Sequence, residues 1–185
     1  ILNEWNYVKG WRGEDFYYSI KQIKSLKGAS DIAGLMCLCQ YIPLDMLMYY
    51  DARPAVWNGM FNTDFVCELL KGYYPFKMFN ELYKLGNAVE LLSNSKTLFG
   101  CAATDDKKSA VMISHFNSAE DATTETVKID MSGFSSENGV KAQYYLIDEN
   151  HNLDRVNEEV LNGDLLEVEL EMSVYSSYLV MLEKN

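Results

Sequence analysis

The stretch LEVELEM, residues 166–172, decides the fold of the second half of the chain. Its apolar residues alternate strictly with glutamates, as in a β-strand whose successive side chains point to opposite faces. One face then carries the apolar set, Leu166, Val168, Leu170 and Met172. Such a strand has one buried face and one face in water, so its glutamates are expected to be a solvated row rather than a calcium site.

Other short apolar segments follow Gly86 at similar spacing. The candidate strands are 98–104, 110–117, 126–131, 142–148 and 177–183. Polar turn sequences separate them, among them DDKK, SSENG, DENHN and NGD. This spacing predicts an antiparallel β-sandwich over residues 89–185.

Residues 1–88 follow a different pattern, in which short apolar segments alternate with helical periodicity. One helix is predicted over 16–27 with Gly28 as its stop, and a second begins with Ser30 as N-cap. A strand over 44–50 and a helix over 71–85 follow. The order strand, helix, strand, helix predicts parallel βα units and a fold of the α/β plus all-β class.

Composition excludes several classes of partner. The chain has 16 Lys and Arg against 27 Asp and Glu, a net charge of -11, which repels nucleic acid phosphates and anionic lipid headgroups. The sequence contains no apolar run near the roughly 20 residues that a membrane-spanning helix needs. We therefore expect neither a nucleic acid nor a membrane partner.

The cysteine and histidine positions indicate no metal site. Cys37, Cys39, Cys67 and Cys101 lack the paired spacing with nearby histidine that zinc requires, and His115 and His151 lack partners for a metal or a triad. The cysteines are expected to be reduced and buried, which favours the cytoplasm. No cofactor is expected.

Two segments resemble a known enzyme group. The segments ILNEWN, residues 1–6, and LDMLMYYDARPAVWNGMF, residues 44–61, resemble the last quarter of a clan A retaining glycoside hydrolase. The likeness is greatest to the β-xylosidases of family 39 and the arabinofuranosidases of family 51. It implies the C-terminal quarter of a (β/α)8 barrel, with its seventh and eighth strands, followed by an antiparallel β-sandwich. It also implies a carbohydrate substrate, with cleavage of O-glycosidic bonds in plant-type or related oligosaccharides.

By this resemblance Glu4 is the catalytic nucleophile. Retaining hydrolysis needs two carboxyl groups about 5 Å apart, a nucleophile and an acid/base, and the second is expected upstream of Ile1. Glu4 follows an asparagine, as the acid/base does in this clan, so that role stays open. A barrel of roughly 250 residues gives about 30 to each βα unit, so the distance from Glu4 to DARP holds one unit and favours the nucleophile.

The loop after the second strand supplies the expected substrate-binding residues: Trp57, Asn58, Tyr50, Asp51 and Arg53. An aromatic face there could stack on a pyranose ring. A structural ion pair between Asp51 and Arg53 is an equal alternative. Trp5 and Trp11 are more typical of packing residues.

A second function class also fits the sequence, namely a non-catalytic β-sandwich module for carbohydrate binding or assembly. In either case the 185-residue chain alone is expected to be inactive. Its barrel remnant would leave strand edges uncovered, so we expect homo-oligomers formed through that remnant.

Overall fold

Strands and helices alternate through the first half of the chain. The computed structural model describes residues 1–53, 55–62, 68–119, 123–163 and 166–185. The elements of this half are β1 (Leu2–Trp5), α1 (Gly13–Ile23), α2 (Leu26–Leu38), β2 (Leu47–Tyr49), β3 (Phe61–Asn62), β4 (Glu68–Leu69) and α3 (Tyr74–Leu85). The predicted order of strand, helix, strand and helix is confirmed, and the short β3–β4 hairpin is an addition to it.

The strands β1 and β2 form a small parallel sheet covered by helices on one face. Trp5 lies opposite Tyr49 in the pairing, and α1 with α2 makes the connection that parallel strands require. Both aromatic side chains face the helices, and their rings meet edge to face at 5.2 Å. The helices contribute Ile32, Leu35, Met36, Phe76 and Phe79 to this cluster.

Gly28 lies inside α2, so its predicted role as a helix stop is wrong. The helix α1 ends at Ile23 and α2 begins at Leu26, before the glycine. A Cβ on residue 28 would lie 2.5 Å from the carbonyl oxygen of Gln22 and 2.7 Å from that of Ile23. Glycine is therefore needed for the close approach of α2 to the end of α1.

Ser30 does not cap a helix as predicted, because it is buried within α2. Its hydroxyl donates to the carbonyl oxygen of His115 at 2.8 Å and lies 2.9 Å from the hydroxyl of Ser114. The hydroxyl of Ser177 donates to that of Ser114, also at 2.9 Å. These serines join the helix to two strands of the second half.

Antiparallel strands make up the second half. They are β5 (Asn87–Val89), β6 (Leu98–Thr104), β7 (Lys108–His115), β8 (Thr124–Asp130), β9 (Val140–Ile147), β10 (Asn152–Leu161), β11 (Glu167–Ser173) and β12 (Ser177–Lys184). One sheet has the order β10-β9-β12-β7-β6-β5, and β8 pairs with β11 in a separate ribbon. Every strand predicted from the sequence is present, whereas β5 and the long edge strand β10 were missed.

The alternation in β11 is confirmed by burial. Val168 is 1% exposed and Met172 is fully buried, whereas Glu167 and Glu169 lie in water and pair with Lys128. The apolar face of the ribbon packs on the larger sheet, and residues of β6, β7, β9 and β12 complete this core.

The opposite face of the larger sheet is covered by helices. Cys37 of α2 and Met78 and Leu82 of α3 pack on Met112 of β7 and Leu179 of β12. β5 extends across the predicted domain boundary at 88/89 to pair with β6. The division into domains 1–88 and 89–185 stays a prediction, because the two halves share this apolar contact.

Other expectations about the chain can be placed on the structure. Cys37, Cys39 and Cys101 are buried free thiols, as predicted, while Cys67 and Pro54 lie outside the described residues. None of the helices within the described ranges has the length and apolar character to cross a membrane. Nor do three or more His, Cys, Asp or Glu residues in those ranges come together as a metal site.

Candidate active site

Glu4 lies on the uncovered face of the small parallel sheet. Neighbouring side chains of a strand point to opposite faces, and Trp5 points into the helical layer. Glu4 therefore points away from the helices, and it is exposed. Tyr50, which follows Tyr49 at the end of β2, is directed to the same side, and its backbone N–H donates to the carbonyl oxygen of Trp5 at 3.0 Å.

A cavity of about 190 Å³ opens beside Glu4. Its lining residues are Glu4, Trp5, Asn6, Val8, Trp11, Tyr50 and Trp57. The structure thus brings Glu4 together with Tyr50 and Trp57, as the sequence predicts. It adds Trp5, Asn6, Val8 and Trp11, and Trp11 is 68% exposed although one side of its ring contacts Trp57.

Asn6 connects the two loops that form the cavity. Its side-chain amide donates to the carbonyl oxygen of Trp57 at 2.9 Å and to that of Tyr50. Its side-chain oxygen accepts from the backbone N–H of Tyr7 at 2.8 Å. The sequence pattern indicates no role for this asparagine, because its hydrogen-bond partners are distant in the chain.

Arg53 joins Asp51 to Tyr50. The Arg53 Nε donates to Asp51 Oδ2 at 2.9 Å, and Arg53 Nη2 donates to the Tyr50 hydroxyl at 3.1 Å. The predicted ion pair between Asp51 and Arg53 is therefore present. Because the Tyr50 oxygen accepts from Arg53, its own O–H can still donate to another acceptor. A substrate-binding role for Asp51 and Arg53 stays a prediction.

Asn58 supports the loop rather than opening onto the cavity. It is fully buried, and its side-chain oxygen accepts from the backbone N–H groups of Met60 and Phe61 at 2.8 and 3.0 Å. Its amide nitrogen donates to the Phe61 carbonyl oxygen at 3.2 Å. The polar atoms of this side chain are therefore engaged in holding the turn after Trp57.

Three buried polar atoms at the ends of β1 and β2 have no hydrogen-bond partner among the described residues. They are Trp5 Nε1, Tyr49 OH and Asp51 Oδ1. Burial raises the pKa of Tyr49 to about 12, although the nearby Asn6 amide and Gly59 N–H oppose the shift without meeting hydrogen-bond geometry. A buried polar atom without a partner costs about 1–3 kcal/mol, so these three atoms lower the stability of this end of the sheet.

The two histidines of the chain, His115 and His151, make contacts within the second half of the molecule. His115 is fully buried between the sheets, with Nδ1 3.0 Å from the Met172 carbonyl oxygen and Nε2 3.2 Å from a Glu125 carboxylate oxygen. His151 Nδ1 lies 2.9 Å from Asp148 in the turn between β9 and β10. Both histidines are far from the cavity in sequence and are absent from its lining.

Comparisons with known proteins show the fold. Neither a family model nor a curated protein sequence matches the chain. A glucosidase from Croceicoccus marinus is similar in structure, with a TM-score of 0.70 at 10% identity over 100% of this chain and 45% of the other. A GH39 enzyme from Xanthomonas axonopodis pv. citri has a TM-score of 0.69 at 14% identity over 99% of this chain and 44% of its own.

A monomeric β-xylosidase from Caulobacter crescentus gives a TM-score of 0.68 at 14% identity, over 98% of this chain and 45% of its own. The chain therefore spans less than half the length of these solved structures. At these identities the similarity establishes a fold shared with part of several glycoside hydrolases.

Proposed function

We propose that this chain is the C-terminal part of a retaining glycoside hydrolase of the family 39 and 51 type. In this proposal residues 1–88 supply the seventh and eighth βα units of a (β/α)8 barrel, and residues 89–185 form a β-sandwich. The observation that carries it is the placement of Glu4. This carboxylate lies at the end of a parallel strand, on the face away from the helices, which is where barrel enzymes hold catalytic groups.

The reaction needs Glu4 as one of two carboxyl groups. A Glu4 oxygen attacks the anomeric carbon while a second carboxyl group protonates the departing glycosidic oxygen, leaving a glycosyl ester on Glu4. Water then attacks the anomeric carbon of that ester and gives its proton to the second carboxyl group. The bond from this carbon to Glu4 breaks, which releases the sugar and restores the Glu4 carboxylate. Glu4 is the only carboxylate among the described residues lining the cavity, so the second group comes from elsewhere in the longer protein.

Nearby side chains have roles that suit this chemistry. Tyr50 can donate its free O–H to the substrate or to Glu4, since Arg53 already occupies one lone pair of its oxygen. Trp57 presents an aromatic ring to the sugar. Neighbouring folds include a glucosidase and a β-xylosidase, which supports plant-type or related oligosaccharides as the substrate class.

Glu4→Gln tests the central claim. In the longer protein we expect this change to lower turnover of aryl glycosides by roughly a thousandfold or more, because covalent catalysis has no substitute for the attacking carboxylate. Glu4 is exposed, so the free energy of unfolding should change by less than about 0.5 kcal/mol. Glu137→Gln, another exposed glutamate, serves as the matched control with parental activity.

A residual rate within about tenfold of the parent would rule out the nucleophile. The acid/base alternative is separated by a slow 2-fluoro glycoside, which should leave its sugar esterified to the peptide that contains Glu4, as detected by mass spectrometry. If the longer protein binds sugars but cleaves none, the non-catalytic binding module is the correct function.

A further inference from the structure

Trp11 is an aromatic residue that the fold leaves open to solvent at the cavity. It lies in the loop between β1 and α1 and is 68% exposed, although a large indole ring is normally buried to a high degree. The same ring lines the cavity that contains Glu4. An aromatic face exposed beside a concave site is a suitable surface for an apolar ligand face.

The surroundings hold the tryptophan pair in place. The ring centroids of Trp11 and Trp57 are 4.9 Å apart at an angle of 60°, and Phe16 braces Trp57 edge to face at 5.4 Å. Asn6 additionally holds the backbone of Trp57 by its 2.9 Å hydrogen bond. The two indoles therefore form a wedge anchored on one side, with the outer ring available for contact.

The size and charge of the cavity indicate what the wedge contacts. Its volume of about 190 Å³ is below the roughly 300–1,000 Å³ of typical ligand pockets, so it encloses only part of an oligosaccharide. Glu4 is the only ionisable carboxylate or base among the described lining residues. An uncharged sugar ring with one apolar face meets both conditions.

We propose that Trp11, with Trp57, forms a second sugar subsite that stacks on the unit adjoining the one held at Glu4. This inference rests on the proposed glycoside hydrolase function and narrows its substrates to chains of two or more sugar units. The exposed indole face of Trp11 gives such a unit a flat apolar surface on which the apolar face of a sugar ring can stack. Trp11 is therefore a specificity-determining residue rather than a catalytic one.

The test compares Trp11→Ala and Trp11→Phe in the longer protein on short and long substrates. The short ones are aryl β-xyloside and aryl β-glucoside, and the long ones are the xylo- and cello-oligosaccharides. We expect Trp11→Ala to lower kcat/KM for the oligosaccharides about tenfold more than for the aryl glycosides, mainly through KM. Trp11→Phe should restore most of the loss. Tyr83→Ala, which removes another exposed aromatic ring, should match the parent.

An equal loss on short and long substrates, or a loss that phenylalanine fails to rescue, would overturn the second subsite. If the parent hydrolyses neither series, the proposed hydrolase function fails. A binding measurement then tests whether the Trp11 subsite exists. Xylotriose and cellotriose titrations followed by tryptophan fluorescence should then show a dissociation constant about tenfold weaker in Trp11→Ala than in the parent. Identical curves for the two proteins would refute the subsite.

Discussion

Individual residues of α2 carry unusual electrostatics close to the candidate site. Lys27 is only 4% exposed, its ammonium lies 3.0 Å from the Tyr18 hydroxyl, and the ring centroids of Tyr7 and Tyr175 are both 5.4 Å away. Asp31 lies one turn further along the helix. Although part of Asp31 stays exposed, desolvation of its carboxyl outweighs the favourable charge of Lys27 and raises its pKa to about 7.

Asp31→Asn should change how stability depends on pH. A carboxyl whose folded pKa exceeds its unfolded value holds its proton more tightly in the folded state, so its contribution is fully present near pH 4 and lost as pH rises through 7. Relative to the parent, the variant should therefore gain stability between pH 4 and 7, with a limiting slope of about 1.4 kcal/mol per pH unit. Urea unfolding across this range measures the effect.

The control for this prediction is Glu14→Gln, which neutralises an exposed carboxylate on α1. Its stability should follow that of the parent with nearly the same pH dependence. If Asp31→Asn also runs parallel to the parent from pH 4 to 8, the carboxyl of Asp31 titrates normally in the folded state.

At the scale of elements, one lysine in the turn just before α3 binds a distant β-turn. Lys71 Nζ donates to the carbonyl oxygens of Asp148 at 2.6 Å, His151 at 3.0 Å and Glu149 at 3.4 Å. Desolvation lowers the pKa of this ammonium, despite nearby acidic groups that raise it. The turn between β9 and β10 is thereby tied to the helical half of the molecule.

Lys71→Met should destabilise the protein by about 2 kcal/mol, because carbonyl groups that accept from a charged donor lose it without replacement. Amide hydrogen exchange should rise first in the β9–β10 turn, which the lysine holds. Lys77→Met, an exposed lysine on α3, is the matched control. Equal unfolding free energies for the two variants would show that the Lys71 contacts are energetically neutral.

Elements also differ in how readily they can be predicted from the sequence. The strand β10 was missed because it lies at the sheet edge, where most of its side chains are exposed and no apolar alternation is required. It is ordered by pairing with β9 and by polar contacts such as Lys141 to Glu158 at 3.0 Å. By contrast, β11 was predicted because one face must enter the core.

At the scale of the whole molecule, the small parallel sheet has one face without a helical cover. Leu2, Met46 and Met48 are between 40% and 45% exposed on or beside its strands. An exposed apolar surface and open strand edges favour association with another polypeptide.

The isolated 185-residue chain should therefore be inactive and self-associate at micromolar concentration. Light scattering should give a mass above the 21.2 kDa of one chain. Met48→Glu, on the open sheet, should shift the chain toward the monomer, whereas Val160→Glu, on the edge strand β10, should not. A monodisperse monomer would refute the association, and turnover by this chain would refute its inactivity.

The sequence by itself determined the period of elements such as β11 and α3, since alternation in the strand and helical spacing in the helix reflect which side chains must be buried. The placement of Glu4 at a strand end came from the family resemblance and not from periodicity. Glu4, Tyr50 and Trp57, three of the candidate site residues, line one cavity, because neighbouring βα loops meet at the same end of parallel strands.

Only the tertiary structure decided which other residues share that cavity and which do not. Asn6 connects the carbonyl groups of Tyr50 and Trp57, and the side chain of Asn58 binds the backbone of its own turn. Trp11 lines the cavity because its ring packs on that of Trp57, which Phe16 contacts in turn. The need for glycine at position 28 likewise comes from the close approach of two helices. These outcomes depend on contacts between residues distant in sequence, and residue type and spacing carry no record of such contacts.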